Sequence, residues 1–132
     1  MNENSIANKA VKFAIEYEKN KNRRVIDVQS NRDFNGFDII SISKDGKNVK
    51  TIEVKGTTKE NGIPDCFETE FTRNKKLVAT HMYVVYFFGN KTPVLYVIPA
   101  SAFKQEYLKE ILHYRINSTF KNKILPKYRI NN

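Results

Sequence analysis

The segment of residues 36–56, GFDIISISKDGKNVKTIEVKG, constrains the fold more than any other part of the chain. Its Asp45-Gly46 pair is a hairpin signal, because it accepts the positive φ angles that a tight β-turn needs. Residues 37–42 are almost continuously apolar, which is typical of a central strand covered on both faces. Residues 49–55 form the returning strand. The sequence therefore predicts an antiparallel hairpin within a sheet.

The remaining elements predict a mixed sheet with helices. Apolar side chains recur at helical spacing over residues 4–19. Further strands are predicted at residues 25–28, 66–71, 81–88 and 94–98. Further helices are predicted at residues 72–80, with Thr72 as N-cap, and at residues 101–113. This order indicates an α/β or α+β architecture with a sheet of about five strands flanked by helices.

The composition fits one domain with a basic surface. The chain has 132 residues, with 23 Lys or Arg against 14 Asp or Glu, and a formal net charge of +9. We assign residues 1–113 to the domain and residues 114–132 to a basic C-terminal tail. A positive field attracts polyanions, and nucleic acid first among them. The competing interpretation is a solvated basic surface in a chain rich in Lys and Asn.

Several classes of protein are excluded by the same inspection. The longest apolar run is the seven residues 82–88, far below the roughly 20 that a membrane helix needs. The first residues lack the apolar core of a secretory signal, so we expect a cytoplasmic protein without a membrane partner. One cysteine and two histidines cannot form an internal disulfide or a zinc site of the usual four-ligand kind.

Three polar side chains are predicted to meet at the open end of the hairpin. Glu53 and Lys55 point to the same face of their strand, and Asp38, at the start of the preceding strand, lies beside one of them. Two carboxylates about 4 Å apart repel by roughly 4 kcal/mol at an effective dielectric constant near 20. Mg²⁺, or Mn²⁺ in its place, would turn this repulsion into attraction.

Two carboxylates, a divalent cation and an ammonium group suit the hydrolysis of a phosphodiester by water. In that interpretation Lys55 orients the water or stabilises the developing negative charge. The competing interpretation is structural, because a surface Glu–Lys pair is common and contributes under about 1 kcal/mol. Asp38 within an otherwise apolar strand favours the site, since buried carboxylates are rare unless they are paired or ligated.

The same segment resembles the PD-(D/E)xK nuclease superfamily, and more closely its NO VEIN C-terminal branch. GFDI at residues 36–39 is similar to the GyDI motif of that family, and IEVKG at residues 52–56 is similar to its second motif. TRN at residues 72–74 is similar to a third motif, T-x-N-E. The glutamate of that motif is replaced here by Lys75. The resemblance covers about residues 3–99.

The resemblance implies a restriction-endonuclease-like fold with a defined set of site residues. Asp38 and Glu53 would hold Mg²⁺, and Lys55 would assist the attacking water. Relatives often carry a further acid on the first helix, and both Glu3 and Glu18 qualify here. Glu3 lies at the helix start, as in resolvase-like relatives, whereas Glu18 has the spacing of the NO VEIN branch. The sequence leaves this choice open.

Basic residues outside the hairpin are candidates for phosphate contacts, namely Arg73, Lys75, Lys76, Lys121, Lys123 and Lys127. The competing interpretation of Lys75 and Lys76 is a solvated helix face. The competing interpretation of the C-terminal residues is a basic end segment that packs its apolar residues on the domain. The aromatic residues of the long apolar run, Tyr83, Tyr86, Phe87 and Phe88, are interpreted as core rather than as a base-stacking platform.

Three functions remain open at this point. The first is a metal-dependent endonuclease that acts on DNA, and symmetric substrates would then require a homodimer. The second is a catalytically inactive nucleic-acid-binding module on the same fold. The third is an accessory domain that has no nucleic-acid partner and owes its charge to coding bias.

Overall fold

A computed structural model describes residues 5–31, 36–63, 70–72, 74–110 and 114–131. Helix α1 (Ile6–Lys19) packs on a sheet of β1 (Arg24–Asp27), β2 (Ile39–Ile42), β3 (Val49–Thr57), β4 (His81–Tyr86) and β5 (Val94–Pro99). The strands lie side by side in chain order. β3 and β4 are parallel, and the other neighbours are antiparallel. The predicted α+β class with a five-stranded mixed sheet is confirmed.

Helix α1 lies unusually close to the backbone of β3. Its start is capped by Ser5, whose hydroxyl accepts a hydrogen bond from the Asn8 N–H at 3.1 Å. A Cβ atom at Gly56 would lie 2.8 Å from the Ile6 carbonyl oxygen and 2.9 Å from the Ala10 Cβ. The glycine is therefore required by the close approach of helix and strand.

The predicted hairpin between β2 and β3 is present and is clamped at its turn end. Gly46 has a φ of 76°, as the turn requires. The Arg23 guanidinium donates to the Ser41 Oγ at 2.7 Å and to its carbonyl oxygen at 3.0 Å. It also donates to the Asn48 Oδ1 at 2.8 Å. One side chain thus holds both strands of the hairpin.

The two faces of the sheet carry separate clusters of buried side chains. On the face covered by α1, Ile52 and Tyr83 are fully buried. On the opposite face, Met82 is joined by Phe120 and Leu125 from the C-terminal segment, all three fully buried. The C-terminal segment therefore packs its apolar residues on the domain, which is one of its two interpretations above.

The helix predicted over residues 72–80 is wrong. Within this stretch, the Thr72 N–H donates to the Lys76 carbonyl oxygen at 2.7 Å, and Lys75 has a left-handed φ of 60°. Phe71 and Leu77 form a β-bridge across this turn and are both buried in the same cluster. A helix would place these two side chains roughly 120° apart around its axis, because six residues correspond to about 600° of rotation.

The helix predicted over residues 101–113 is also wrong. The chain instead forms 3₁₀ turns at Ala100–Ala102 and Gln105–Tyr107, followed by the short hairpin of β6 (Leu108–Glu110) and β7 (Tyr114–Ile116). Leu108 and Ile116 are paired across the hairpin and both are buried in the core. This burial outweighs the helical propensity of the local sequence.

Two further expectations concern the strand before Thr72 and the absence of a membrane-spanning helix. The strand predicted over residues 66–71 lies mostly outside the described residues. In the described part of the chain, no helix has both the length and the apolar character needed to cross a bilayer.

Candidate functional site

Asp38 and Glu53 lie directly opposite each other at the start of the central hairpin. The antiparallel register pairs Ile39 with Ile52, which brings the preceding aspartate opposite the following glutamate. The Asp38 N–H donates to the Ile52 carbonyl oxygen at 2.8 Å, and the Asp38 Oδ2 accepts from the Val54 N–H at 2.9 Å. Of the two neighbours predicted for Asp38, the structure therefore places the glutamate beside it.

The carboxyl groups of Asp38 and Glu53 are hydrogen-bonded to each other. Glu53 is 7% exposed. Burial, and next the charge of Asp38, raises the pKa of Glu53 to about 8. Burial also raises the pKa of Asp38, although hydrogen bonds from the Val54 N–H and from Glu53 oppose that shift. The raised pKa of Glu53 favours its protonated form as the donor of the hydrogen bond to Asp38.

Lys55 lies on the same face of β3 as Glu53 and contacts two carboxylates. Its Nζ atom is 3.6 Å from the Glu53 Oε1 and also contacts the Glu70 Oε1 directly. Glu70 is buried, and its carbonyl oxygen accepts a hydrogen bond from the Val78 N–H at 2.8 Å. The site therefore contains three carboxyl groups and one ammonium group.

Glu70 is not among the residues predicted for the site. The signal that could have identified it is weak, namely a carboxylate within a predicted strand and next to Phe71, which is a core residue. Its approach to Lys55 depends on the turn that follows it, and the sequence pattern predicts a helix there. A residue brought in by a non-local pairing of this kind leaves no periodic pattern in the sequence.

The oxygen donors of the acidic pair fit a hard divalent cation. Mg²⁺ is usually held by one or two carboxylates together with water and phosphate oxygens. Asp38 and Glu53 offer two such groups, already close enough to share a proton that a cation would displace. Within the described ranges, no group of three or more His, Cys, Asp or Glu side chains is arranged as a complete metal site.

Residues 6–98 match the family model described as "Protein NO VEIN, C-terminal". The match covers well over half of the chain. The chain belongs to this family. No match was found among the curated proteins or among the solved structures.

Glu18, the first-helix acid with the spacing of the NO VEIN branch, lies in a different cluster. It is fully buried, with its Oε1 atom 3.4 Å from both the Arg23 Nε and the Lys50 Nζ. The Tyr83 hydroxyl donates to its Oε2 at 2.8 Å. Lys50 and Tyr83 lie on the face covered by α1, opposite the acidic pair. The other acid, Glu3, lies outside the described residues.

The predicted phosphate-binding lysines are at the surface. Lys75 and Lys76 lie in the turn rather than on a helix, where they line a groove of about 350 Å³. Lys123 and Lys127 are exposed on the C-terminal segment, and Lys121 is partly exposed. Of the predicted basic residues, Arg73 alone falls outside the described ranges.

Proposed function

We propose that this chain is a metal-dependent nuclease that hydrolyses phosphodiester bonds of DNA in the cytoplasm. The observation that carries the proposal is the facing pair of Asp38 and Glu53, with the Lys55 ammonium 3.6 Å from the glutamate. A buried carboxyl pair that shares a proton is a poor structural device, because repulsion rises steeply once both groups ionise. The same pair is well suited to bind a cation. The resemblance to the PD-(D/E)xK nucleases supports this interpretation.

In this proposal each residue has a separate task. Asp38 and Glu53 would hold Mg²⁺, which Mn²⁺ could replace, and the bound ion would supply Lewis acidity and a more acidic water molecule. The Val54 N–H orients the Asp38 carboxylate. Lys55 presents a positive charge where negative charge develops on the phosphate oxygens. Glu70 holds the flexible lysine side chain in that position.

A second candidate function is a nucleic-acid-binding module without catalysis. The contact between Lys55 and Glu70 favours it, because a lysine whose charge is compensated by a buried carboxylate serves as a structural partner. Lys75, in place of the glutamate of the T-x-N-E motif, favours it as well. Both functions use the positive surface, and they differ in whether the bound strand is cut.

The two functions are separated by a cleavage assay with matched variants. The full chain is incubated with labelled single-stranded, duplex and branched DNA in Mg²⁺, Mn²⁺ or EDTA. The nuclease proposal expects metal-dependent products that disappear in Asp38→Ala and in Lys55→Ala. Glu16→Ala and Lys12→Ala, which alter surface residues of α1, are the matched controls and should cut normally. Binding without cutting by the wild type would favour the second function and overturn the first.

A further inference from the structure

Two aromatic rings lie stacked on the sheet just beyond the acidic site. The ring centroids of Tyr86 and Phe88 are 5.1 Å apart, with 27° between the planes. Tyr86 pairs with Thr57 of β3, and Val84, two residues earlier, pairs with Lys55. With about 4.8 Å between strands and about 3.3 Å per residue, the Cα atoms of Tyr86 and Lys55 are roughly 8 Å apart. Tyr86 also packs on the cluster of the same face.

These rings are only partly buried, unlike the neighbouring Tyr83. Tyr83 is fully buried, as expected for a core residue, whereas Tyr86 and Phe88 are both partly exposed. The expectation that these aromatic residues belong to the core therefore does not describe the stacked pair in full. A partly exposed stacked pair offers a flat apolar surface to a second flat partner.

Two cations accompany the stacked pair. The turn after Phe88, in which Gly89 has a φ of 63°, returns Lys91 so that its Nζ lies 5.6 Å from the centroid of the Phe88 ring. Arg129 is exposed and lines a groove of about 270 Å³ together with Phe88. Lys91 is exposed as well. The surface therefore combines aromatic faces with positive charge.

The net charge of the chain lies entirely in the half that forms this surface. Residues 1–70 contain 12 Lys or Arg and 12 Asp or Glu. Residues 71–132 contain 11 Lys or Arg and only two Asp or Glu. This second half forms β4, β5 and the C-terminal segment, and residues 71–105 contain no acid at all. Lys91 and Arg129 both belong to this basic half, so the cations beside the rings have no acidic residue near them in the sequence.

We propose that Tyr86, Phe88, Lys91 and Arg129 form a stacking site for unpaired bases of DNA. The substrate of the proposed nuclease would then carry a single-stranded segment, such as a flap or an overhang, next to the bond that is cut. Stacked aromatic rings with neighbouring cations are the combination by which proteins hold single strands. A continuous duplex keeps its bases stacked inside and offers only its backbone. The identity of the substrate rests on the proposed function, whereas the binding site does not.

The test measures DNA binding by the full chain in EDTA, where no metal-dependent cleavage occurs. Fluorescence anisotropy at low salt compares a labelled oligothymidylate, a blunt duplex and a strand of abasic units that keeps its phosphates. We expect Phe88→Ala to weaken binding to the single strand about five- to fiftyfold and to leave duplex binding within about twofold. Phe88→Trp should restore single-strand binding. Val49→Ala, at an exposed residue of β3, should resemble the wild type.

Three results overturn the stacking site. The first is an equal affinity of the wild type for abasic and normal strands, and the second is an unchanged single-strand affinity in Phe88→Ala. The third is an equal loss for single strand and duplex in that variant. Should Phe88→Ala fail to fold, Lys91→Gln replaces it and is expected to lower the salt slope of single-strand binding by about 0.7. Selective binding without any cleavage would instead overturn the nuclease proposal alone.

Discussion

The ammonium group of Lys55 is held by Glu70, which lies fifteen residues further along the chain. The contact brings a third carboxyl group to the acidic pair and fixes the direction of a long, flexible side chain. Glu70 therefore determines where the positive charge of Lys55 lies relative to any substrate.

Glu70→Gln should slow cleavage about ten- to hundredfold without weakening DNA binding, because Lys55 loses its orienting charge. Single-turnover rates under saturating protein would report the chemical step, and anisotropy would report binding. Glu60→Gln, at an exposed residue, is the matched control. An unchanged rate would show that Glu70 does not position the lysine.

Without divalent cations, the acidic pair should make the protein less stable as the pH rises. Folding raises the pKa of Glu53 from 4.5 to about 8, so between these values the folded state holds a proton that the unfolded state has released. The stabilisation is complete below the unfolded pKa and is lost as the pH rises through about 8. Urea unfolding of the wild type and of Glu53→Gln between about pH 5 and 9 would measure the difference.

The loss of unfolding free energy with rising pH should be larger in the wild type than in Glu53→Gln, because the glutamine cannot ionise. Mg²⁺ should recover stability of the wild type at high pH and have little effect on the variant, because only the wild type provides two carboxylates. Identical pH trends for the two proteins would contradict the shared proton between Asp38 and Glu53.

Gly56→Ala should lower the free energy of unfolding by about 1–3 kcal/mol, because the new methyl group overlaps the backbone of α1. Adding Ala10→Gly should recover part of this loss, since it removes one of the closest atoms. Urea denaturation of the two single variants and the double variant would measure the coupling. Strict additivity of the two effects would argue against the close approach of α1 to β3.

Glu18→Gln should destabilise the protein by about 3 kcal/mol, because Arg23 and Lys50 lose a buried counter-charge. Cleavage per folded molecule should stay within about twofold of wild type, since Glu18 lies on the other face of the sheet. Thermal unfolding and single-turnover cleavage on the same samples separate the two effects. A large loss of cleavage at full folding would make Glu18 a member of the site.

Nucleic-acid binding should weaken steeply with salt, and the lysines of the C-terminal segment should contribute to that slope. Replacing Lys121, Lys123 and Lys127 together by Gln should reduce the slope of log K against log salt by about 2. The double variant of Lys44 and Lys47, which are exposed at the hairpin turn, is the control. An equal effect per replaced lysine in the two variants would indicate a diffuse surface rather than a localised contact.

Elements with local signals are predictable from the sequence. Helix α1 follows from its apolar spacing, and the β2–β3 hairpin follows from Asp45-Gly46 and the apolar strand before it. Because the turn of a hairpin also fixes its register, the pattern of residues 36–56 is sufficient to bring Asp38 to the end of the hairpin that carries Glu53 and Lys55.

Elements that depend on distant partners are not predictable in the same way. The pattern after Thr72 predicts a helix, yet the pairing of Phe71 with Leu77 makes this segment a turn. Glu70 enters the site through that turn. The exposure of Tyr86 and Phe88 depends on where the C-terminal segment lies, and strand periodicity carries no information about it.

The contacts of Arg23 also affect the open end of the β2–β3 hairpin, where Asp38 and Glu53 lie. Its guanidinium binds Ser41 and Asn48. Ser41 is three residues from Asp38, which corresponds to about 10 Å along a strand. A slip of one residue between β2 and β3 would turn one strand over and separate Asp38 from Glu53 onto opposite faces. The register that the turn fixes is thus held as well by a side chain that contacts neither acid. A substitution of Arg23 can accordingly disturb the facing of Asp38 and Glu53 while every residue of the site is intact.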